Sequence, residues 1–226
     1  MYDDMRSIHQ GLLNCGYAIL PHVRHEDLES IARGLGPIEV DRRNPEKIRE
    51  IRIESHLSAN PNTLSSRHGT GSFPFHTDCA HWMQPARYLI LYCVNPGSGN
   101  RPTLALDTRE WNWSEHQERA LCNEVWKRAL KEPRLCTVAE RTDCGLSIRF
   151  DEACMEPTTN CAKTLLTAIR EKVERSPRIS ISWLPGDLLL LDNHRMLHSR
   201  GESNRPDPDR LLKRILVGAS HESMGF

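Results

Sequence analysis

His76-Thr77-Asp78 and a distal His198, followed twelve residues later by Arg210, are the residues of this chain whose types and spacing could do chemistry. Two imidazoles and one carboxylate on one side of a metal leave the other coordination positions open. Fe(II) uses that arrangement to hold a chelating co-substrate and O2 together. An arginine beyond the second histidine adds a planar fork of donors that grips a carboxylate bidentately. The set therefore describes a 2-oxoglutarate site as well as an iron site. His76 and Asp78 are two residues apart, and in extended chain such positions share a face, so one short segment can present both to one metal.

Local competitors stand beside each of these residues. His81 completes a His76-x-Asp78-x-x-His81 cluster that could hold zinc for hydrolysis. His194, four residues before His198, could be the distal ligand instead. Arg210 and Arg214 fall on one face of a terminal strand together with Leu212 and Leu216. On an interior face, two guanidinium groups among leucines require anions; on a strand edge they would simply sit in water.

The elements that must position these residues are legible in outline. A helix, a short strand at 17–20 and a second helix from near Glu26 to Gly34 or Gly36 form a helical entry layer over 1–39. Residues 40–72 are polar and read as a lid loop, with Asn60, Asn62, Ser65, Ser66, Arg67 and His68 as candidate contacts to a small polar substrate. The core is expected over 73–218. Within it Tyr88–Val94 and Thr103–Leu106 read as strands. Ser114-Glu115-His116-Gln117 has the form of a capping box, with Leu121, Val125 and Ala129 following at helical spacing. Ala162, Leu165, Leu166, Ile169 and Val173 form one helix face behind Thr158 or Thr159 as N-cap. Ile179–Trp183 alternates, Leu188–Leu191 is a run buried on both faces that delivers His194 and His198, and Leu211–Gly218 is the last strand. Arg149-Phe150-Asp151 could add a charged substrate contact or a strand-end salt bridge. The pattern is one β-rich domain, 1–226, with flanking helices.

Composition excludes several classes. Lys+Arg 30 against Asp+Glu 30 leaves a formal net charge of +0, so no nucleic-acid backbone or anionic membrane is attracted by the chain as a whole. Eight scattered cysteines without a CxxC pair read as free thiols in a reducing compartment. No apolar run approaches the ~20 residues of a membrane span. A cytoplasmic protein with a small-molecule substrate is expected; oligomeric state is left open.

Phe73-Pro74-Phe75-His76-Thr77-Asp78-Cys79-Ala80-His81, Pro85-Ala86-Arg87-Tyr88, Leu184-Pro185-Gly186-Asp187-Leu188 and Asp192-Asn193 through Leu197-His198-Ser199-Arg200 resemble the taurine dioxygenase/clavaminate synthase-like family of Fe(II)/2-oxoglutarate oxygenases. The resemblance spans roughly 70–218 and is loose before that. It implies a double-stranded β-helix (a cupin-like jelly roll) with iron held by His76, Asp78 and His198. Thr103 and Arg210 are implied to hold 2-oxoglutarate, and Arg214 to reach the substrate or the co-substrate's other carboxylate. The implied activity consumes O2 and 2-oxoglutarate, releases succinate and CO2, and oxidises a C–H bond. The carboxylate of Asp78, which halogenating members lack, favours hydroxylation, desaturation or rearrangement. The rival readings are a metal-dependent hydrolase and a non-catalytic jelly-roll binding module.

Overall fold

A computed structural model describes residues 2–41, 45–59, 63–128 and 134–219. Two facing antiparallel sheets form the centre. The larger contains β1 (Tyr17–Leu20), β2 (Ile38–Glu39), β3 (Arg49–Arg52), β4 (Tyr88–Asn95), β12 (Leu188–Asp192) and β14 (Leu211–Val217), in the order β1-β12-β4-β14-β2, with β3 also pairing β14. The smaller has the order β11-β5-β13, formed by Ile179–Ile181, Thr103–Asp107 and Met196–Arg200. Leu89, Leu91, Leu189, Leu191, Leu212 and Leu216 of the first sheet pack on Ala105, Ile181 and Met196 of the second. This is the expected jelly roll, mainly β with flanking helices.

Alternation along the strands builds the layers, because successive side chains point to opposite faces. Leu188 and Leu190 pack outward with Ile8, Leu12, Leu28 and Ile31 of α1 (Tyr2–Cys15) and α2 (Leu28–Leu35), while Leu189 and Leu191 pack inward. On the smaller sheet, Leu106 and Leu197 face a second apolar layer that contains Leu121 of α4 (Glu115–Asn123) and Ala162, Leu165 and Ile169 of α5 (Asn160–Arg175). Both helices start as expected. Ser114 and Gln117 form a reciprocal capping box, and Thr159 rather than Thr158 accepts the Ala162 N–H.

Two expectations are corrected. The region 40–72 is not a plain loop: β3 pairs with β14, and α3 (Leu64–His68) follows. In Arg49-Glu50-Ile51-Arg52 a single apolar residue sits among charges, so the two-residue period is hidden. The helix after Ser114 ends at Asn123, and Trp126–Arg128 is a strand, β6, paired with β7 (Arg134–Cys136) and β10 (Met155–Pro157). Burial of Trp126 in the outer layer overrides the helical spacing of Leu121 and Val125; Ala129 lies outside the described residues. A further hairpin, β8 (Ala139–Thr142) with β9 (Gly145–Ile148), was not foreseen. All eight cysteines are free, and among the described residues no helix is long and apolar enough to cross a membrane.

The entry layer is pinned to the roll by Arg195. Its guanidinium pairs with Asp107 and donates to the Leu13 and Asn14 carbonyls at the end of α1. There the chain turns through Gly16 at φ +78, where a Cβ would stand 2.6 Å from the Met196 sulfur. Arg195→Met should lower unfolding free energy by about 3 kcal/mol, because Asp107, whose side chain is 14% exposed, loses its partner. Arg119→Ala, at an exposed helical pair with Glu115, should change it by at most about 0.5 kcal/mol. Urea unfolding of both variants measures the contrast.

Candidate metal and co-substrate site

His76 and His198 meet through the backbone before they meet through their rings. They form an antiparallel bridge, with His76 N–H donating to His198 O at 2.9 Å and His198 N–H to His76 O at 3.0 Å. The ring centroids are 4.4 Å apart. The Pro74 carbonyl lies 3.0 Å from His76 Nδ1, which orients that ring and leaves Nε2 as the other ring nitrogen for a metal, as a backbone carbonyl does for a metal-ligating histidine. Asp78 is fixed from behind by Asn193, whose side-chain oxygen accepts the Asp78 N–H at 2.8 Å while its amide donates to the Asp78 and Ala86 carbonyls. The residue between the ligand candidates, Thr77, ties the segment to Ile148 and Phe150.

The three candidate ligands thus come together, but the carboxylate is engaged. Arg214 Nη1 donates to both Asp78 oxygens at 2.9 Å. Among the described residues no group of three or more His, Cys, Asp or Glu side chains stands ready-made to hold a metal ion. The donor set itself fits Fe(II): two nitrogens and one carboxylate, with His198 Nδ1 buried and lacking a hydrogen-bond partner. Burial would raise the Asp78 carboxyl, but Arg214, then His198 and His76, outweigh it and hold it at about 2. Burial, then His76, pushes His198 down to about 3. At neutral pH the site therefore offers an anionic oxygen and an unprotonated imidazole, the forms a metal needs.

A second group of buried charges gathers around Arg210. Arg210, just before β14, is buried, and its guanidinium has no side-chain hydrogen bond or ion pair among the described residues. Burial, then Arg101, lowers it to about 10. Arg200, across from Thr103 in the β5–β13 register, is lowered to about 9 by burial, then by Arg101 and Arg210. One carboxylate, Asp207, lies 3.7 Å from Arg101. Three buried guanidiniums facing a single carboxylate leave a strongly positive interior. Thr103 is buried beside them, and its hydroxyl accepts from Trp183 Nε1 at 3.1 Å, which leaves the hydroxyl hydrogen free to donate.

The remaining candidates sit elsewhere. His194 Nε2 lies 3.0 Å from the Pro85 carbonyl, and its Nδ1 is 3.4 Å from Arg87. The His81 ring lies edge-on to Trp82, and its carbonyl accepts from Arg128. Arg149 donates to the Met83 carbonyl rather than forming a salt bridge with Asp151, which caps its own turn at Ala153. Ser65, Ser66, Arg67 and His68 belong to α3, with His68 packed against Phe73; Asn60 and Asn62 lie outside the described residues. Arg101, Asp207 and Trp183 escaped the sequence reading. Arg101 follows a Gly-Ser-Gly turn that reads as a connection, and Asp207 falls in a Pro-rich one.

Residues 2–109, just under half of the chain, match the family described as taurine catabolism dioxygenase TauD, TfdA family. The matched span takes in the N-terminal region expected to be only loosely similar, and it includes His76, Asp78 and Thr103. His198, Arg210 and Arg214 lie beyond it. No curated protein matches the chain. Among solved structures, an asparagine oxygenase in complex with Fe(II), 2S,3S-3-hydroxyasparagine and succinate is similar at TM-score 0.78 and 18% identity, over 97% of this chain and 80% of that one. The non-heme iron oxygenase OrfP in complex with Fe and alpha-ketoglutaric acid is similar at TM-score 0.74 and 20% identity, with the same coverages. OrfP with Fe, succinate and (3S)-hydroxy-L-Arg gives 0.72 and 18%, over 98% and 80%.

The metal-free protein should be acid-sensitive. In the unfolded chain the His198 imidazole titrates near its ordinary 6.5, whereas in the folded chain it stays neutral down to about 3. Its contribution to stability is therefore complete above 6.5 and is lost as the pH falls from there toward 3. Thermal melts of chelator-treated protein between pH 7 and 4 should show Tm falling, and His198→Gln should flatten that slope.

Proposed function

We propose that the protein is an Fe(II)- and 2-oxoglutarate-dependent dioxygenase. It oxidises, in the simplest case by hydroxylation, an unactivated C–H bond of a small polar molecule such as an amino acid derivative or a natural-product intermediate, releasing succinate and CO2. The observation that carries this reading is the convergence of His76, Asp78 and His198 at one end of an interior that also buries Arg210 without a bonded anion. A buried guanidinium of that kind is costly unless a ligand supplies the missing charge. A dicarboxylate reaching from the imidazoles to Arg210 does so. The neighbouring structures support the reading, since those proteins are recorded with iron, with alpha-ketoglutaric acid or succinate, and with hydroxylated asparagine or arginine.

In this reading His76, Asp78 and His198 hold the iron, which when bound supplies O2 activation coupled to decarboxylation of the co-substrate. The chain's own groups bind and orient. Arg210 grips the distal carboxylate, and Thr103 donates its hydroxyl hydrogen to the same group. Arg101 and Arg200 add positive potential, while Asp207 holds the Arg101 turn through the Gly99 N–H. Arg200 also closes the wall, lying 3.6 Å over the Phe73 ring and donating to the Gly69 and Gly71 carbonyls. Asn193 keeps the Asp78 segment in register with β13. Positioning of this kind is the protein's share when a cofactor carries the difficult step. A zinc site built on His81 is not favoured, because that ring packs on Trp82 and such a site would give the buried arginines no role.

With a turned-over substrate, O2 consumption and succinate formation should be coupled near one to one. Succinate release across a panel of amino acids and their derivatives tests this, and hydrolysis without O2 or 2-oxoglutarate would refute it. Arg210→Ala should weaken 2-oxoglutarate binding roughly 10²- to 10³-fold, about 3–4 kcal/mol for an unpaired buried carboxylate, as read by calorimetric titration.

A further inference from the structure

The carboxylate assigned to the metal is already the partner of a cation. Arg214 bonds both Asp78 oxygens through one nitrogen, and the two side chains are only 18% and 12% exposed. The Cys79 thiol adds a longer contact to Oδ1 at 3.7 Å. Resting on the iron reading above, we propose that Arg214 is the exchangeable counter-cation of Asp78: metal and guanidinium compete for this carboxylate, and a carboxylate-bearing substrate that draws Arg214 away tightens the metal.

The charges around Arg214 make the exchange feasible. Its position on β14 faces inward between Leu212 and Leu216. Arg49 stands opposite it in the β3 register, so the neighbouring strand offers repulsion rather than a partner. Lys213 points to the other face, beside His25. Behind Arg214 a small cavity of about 20 Å³ is lined by Glu39, Asp41, Glu46, Lys47 and Arg49. The cavity is too small to take the guanidinium itself, but Asp41 on its wall adds to the field that keeps Arg214 charged.

A guanidinium held within a few ångströms of a divalent ion repels it, and partial burial leaves that repulsion weakly screened. An anion bound to Arg214 neutralises the repulsion and returns Asp78 to the metal. Because linkage is reciprocal, the metal must raise the affinity for that anion by the same factor. Such an enzyme would hold its metal loosely at rest and tightly once a carboxylate-bearing substrate is in place. Arg214 would then set substrate class and metal occupancy together.

Metal titration of the chelator-treated full chain tests this without turnover. Co(II) binding is measured by calorimetry in the wild type, Arg214→Lys and Arg214→Gln, with circular dichroism reporting folding. The neutral variant should bind Co(II) about tenfold or more tightly than the wild type, and the lysine variant, which keeps the charge, should resemble the wild type. Metal-free Arg214→Gln should melt lower, since Asp78 loses its partner, and Co(II) should raise its Tm more than it raises that of the wild type. A folded Arg214→Gln that binds Co(II) equally or more weakly would overturn the competition. A wild type that binds no divalent metal would overturn the iron reading itself, so the two failures are distinguishable.

Discussion

The antiparallel bridge between His76 and His198 is the constraint on which the site depends. It joins the segment that enters from α3 to strand β13 through two backbone hydrogen bonds, so the imidazole positions are set by main-chain geometry rather than by side-chain packing. Asn193 extends the same lock to Asp78. The bridge holds only if β13 is itself rigid, and β13 is fully buried between its pairing with β5 and the outer layer containing Trp126 and Ile169. Sheet, bridge and ligand set therefore form one mechanical unit.

The interior of the roll departs from an apolar core because of charge. Arg101, Arg200, Arg210 and Arg214 are drawn into it against Asp78 and Asp207. Such an excess of guanidinium is destabilising unless anions complete it, which supports reading the arrangement as an anion-binding site rather than a structural network. The partners differ along β14. Arg214 finds a carboxylate within the chain, whereas Arg210, four residues earlier, finds none. That difference is the basis for assigning the two arginines separate roles in the proposals above.

The two core sheets were legible because their strands are long or alternate cleanly, as in Leu188–Leu191 and Tyr88–Val94. Helices α4 and α5 were legible at their starts because Ser114 and Thr159 cap them in the expected way. The edge strand β3 and the outer strands β6 to β10 were not, because they are short and charged and owe their conformation to partners distant in sequence. The same limit applies to the site. His76, Asp78, His198 and Arg210 could be nominated from type and spacing, with His194 left as a rival to His198; the family resemblance favoured His198 and put Thr103 beside them. The Arg214–Asp78 pair, and the guanidiniums of Arg101 and Arg200 that surround Arg210, depend on where the turns fold back. No periodicity carries that information.

The central claim is that one cavity holds iron through His76, Asp78 and His198 and holds 2-oxoglutarate beside it. Visible absorption of the anaerobic protein, with Fe(II) present and 2-oxoglutarate then added, tests both halves at once. A weak metal-to-ligand charge-transfer band should appear in the wild type and in His194→Ala and His81→Ala, and should vanish in His76→Ala, Asp78→Ala and His198→Ala. No band in the wild type, or a band that survives His198→Ala and is lost in His194→Ala, would contradict the account.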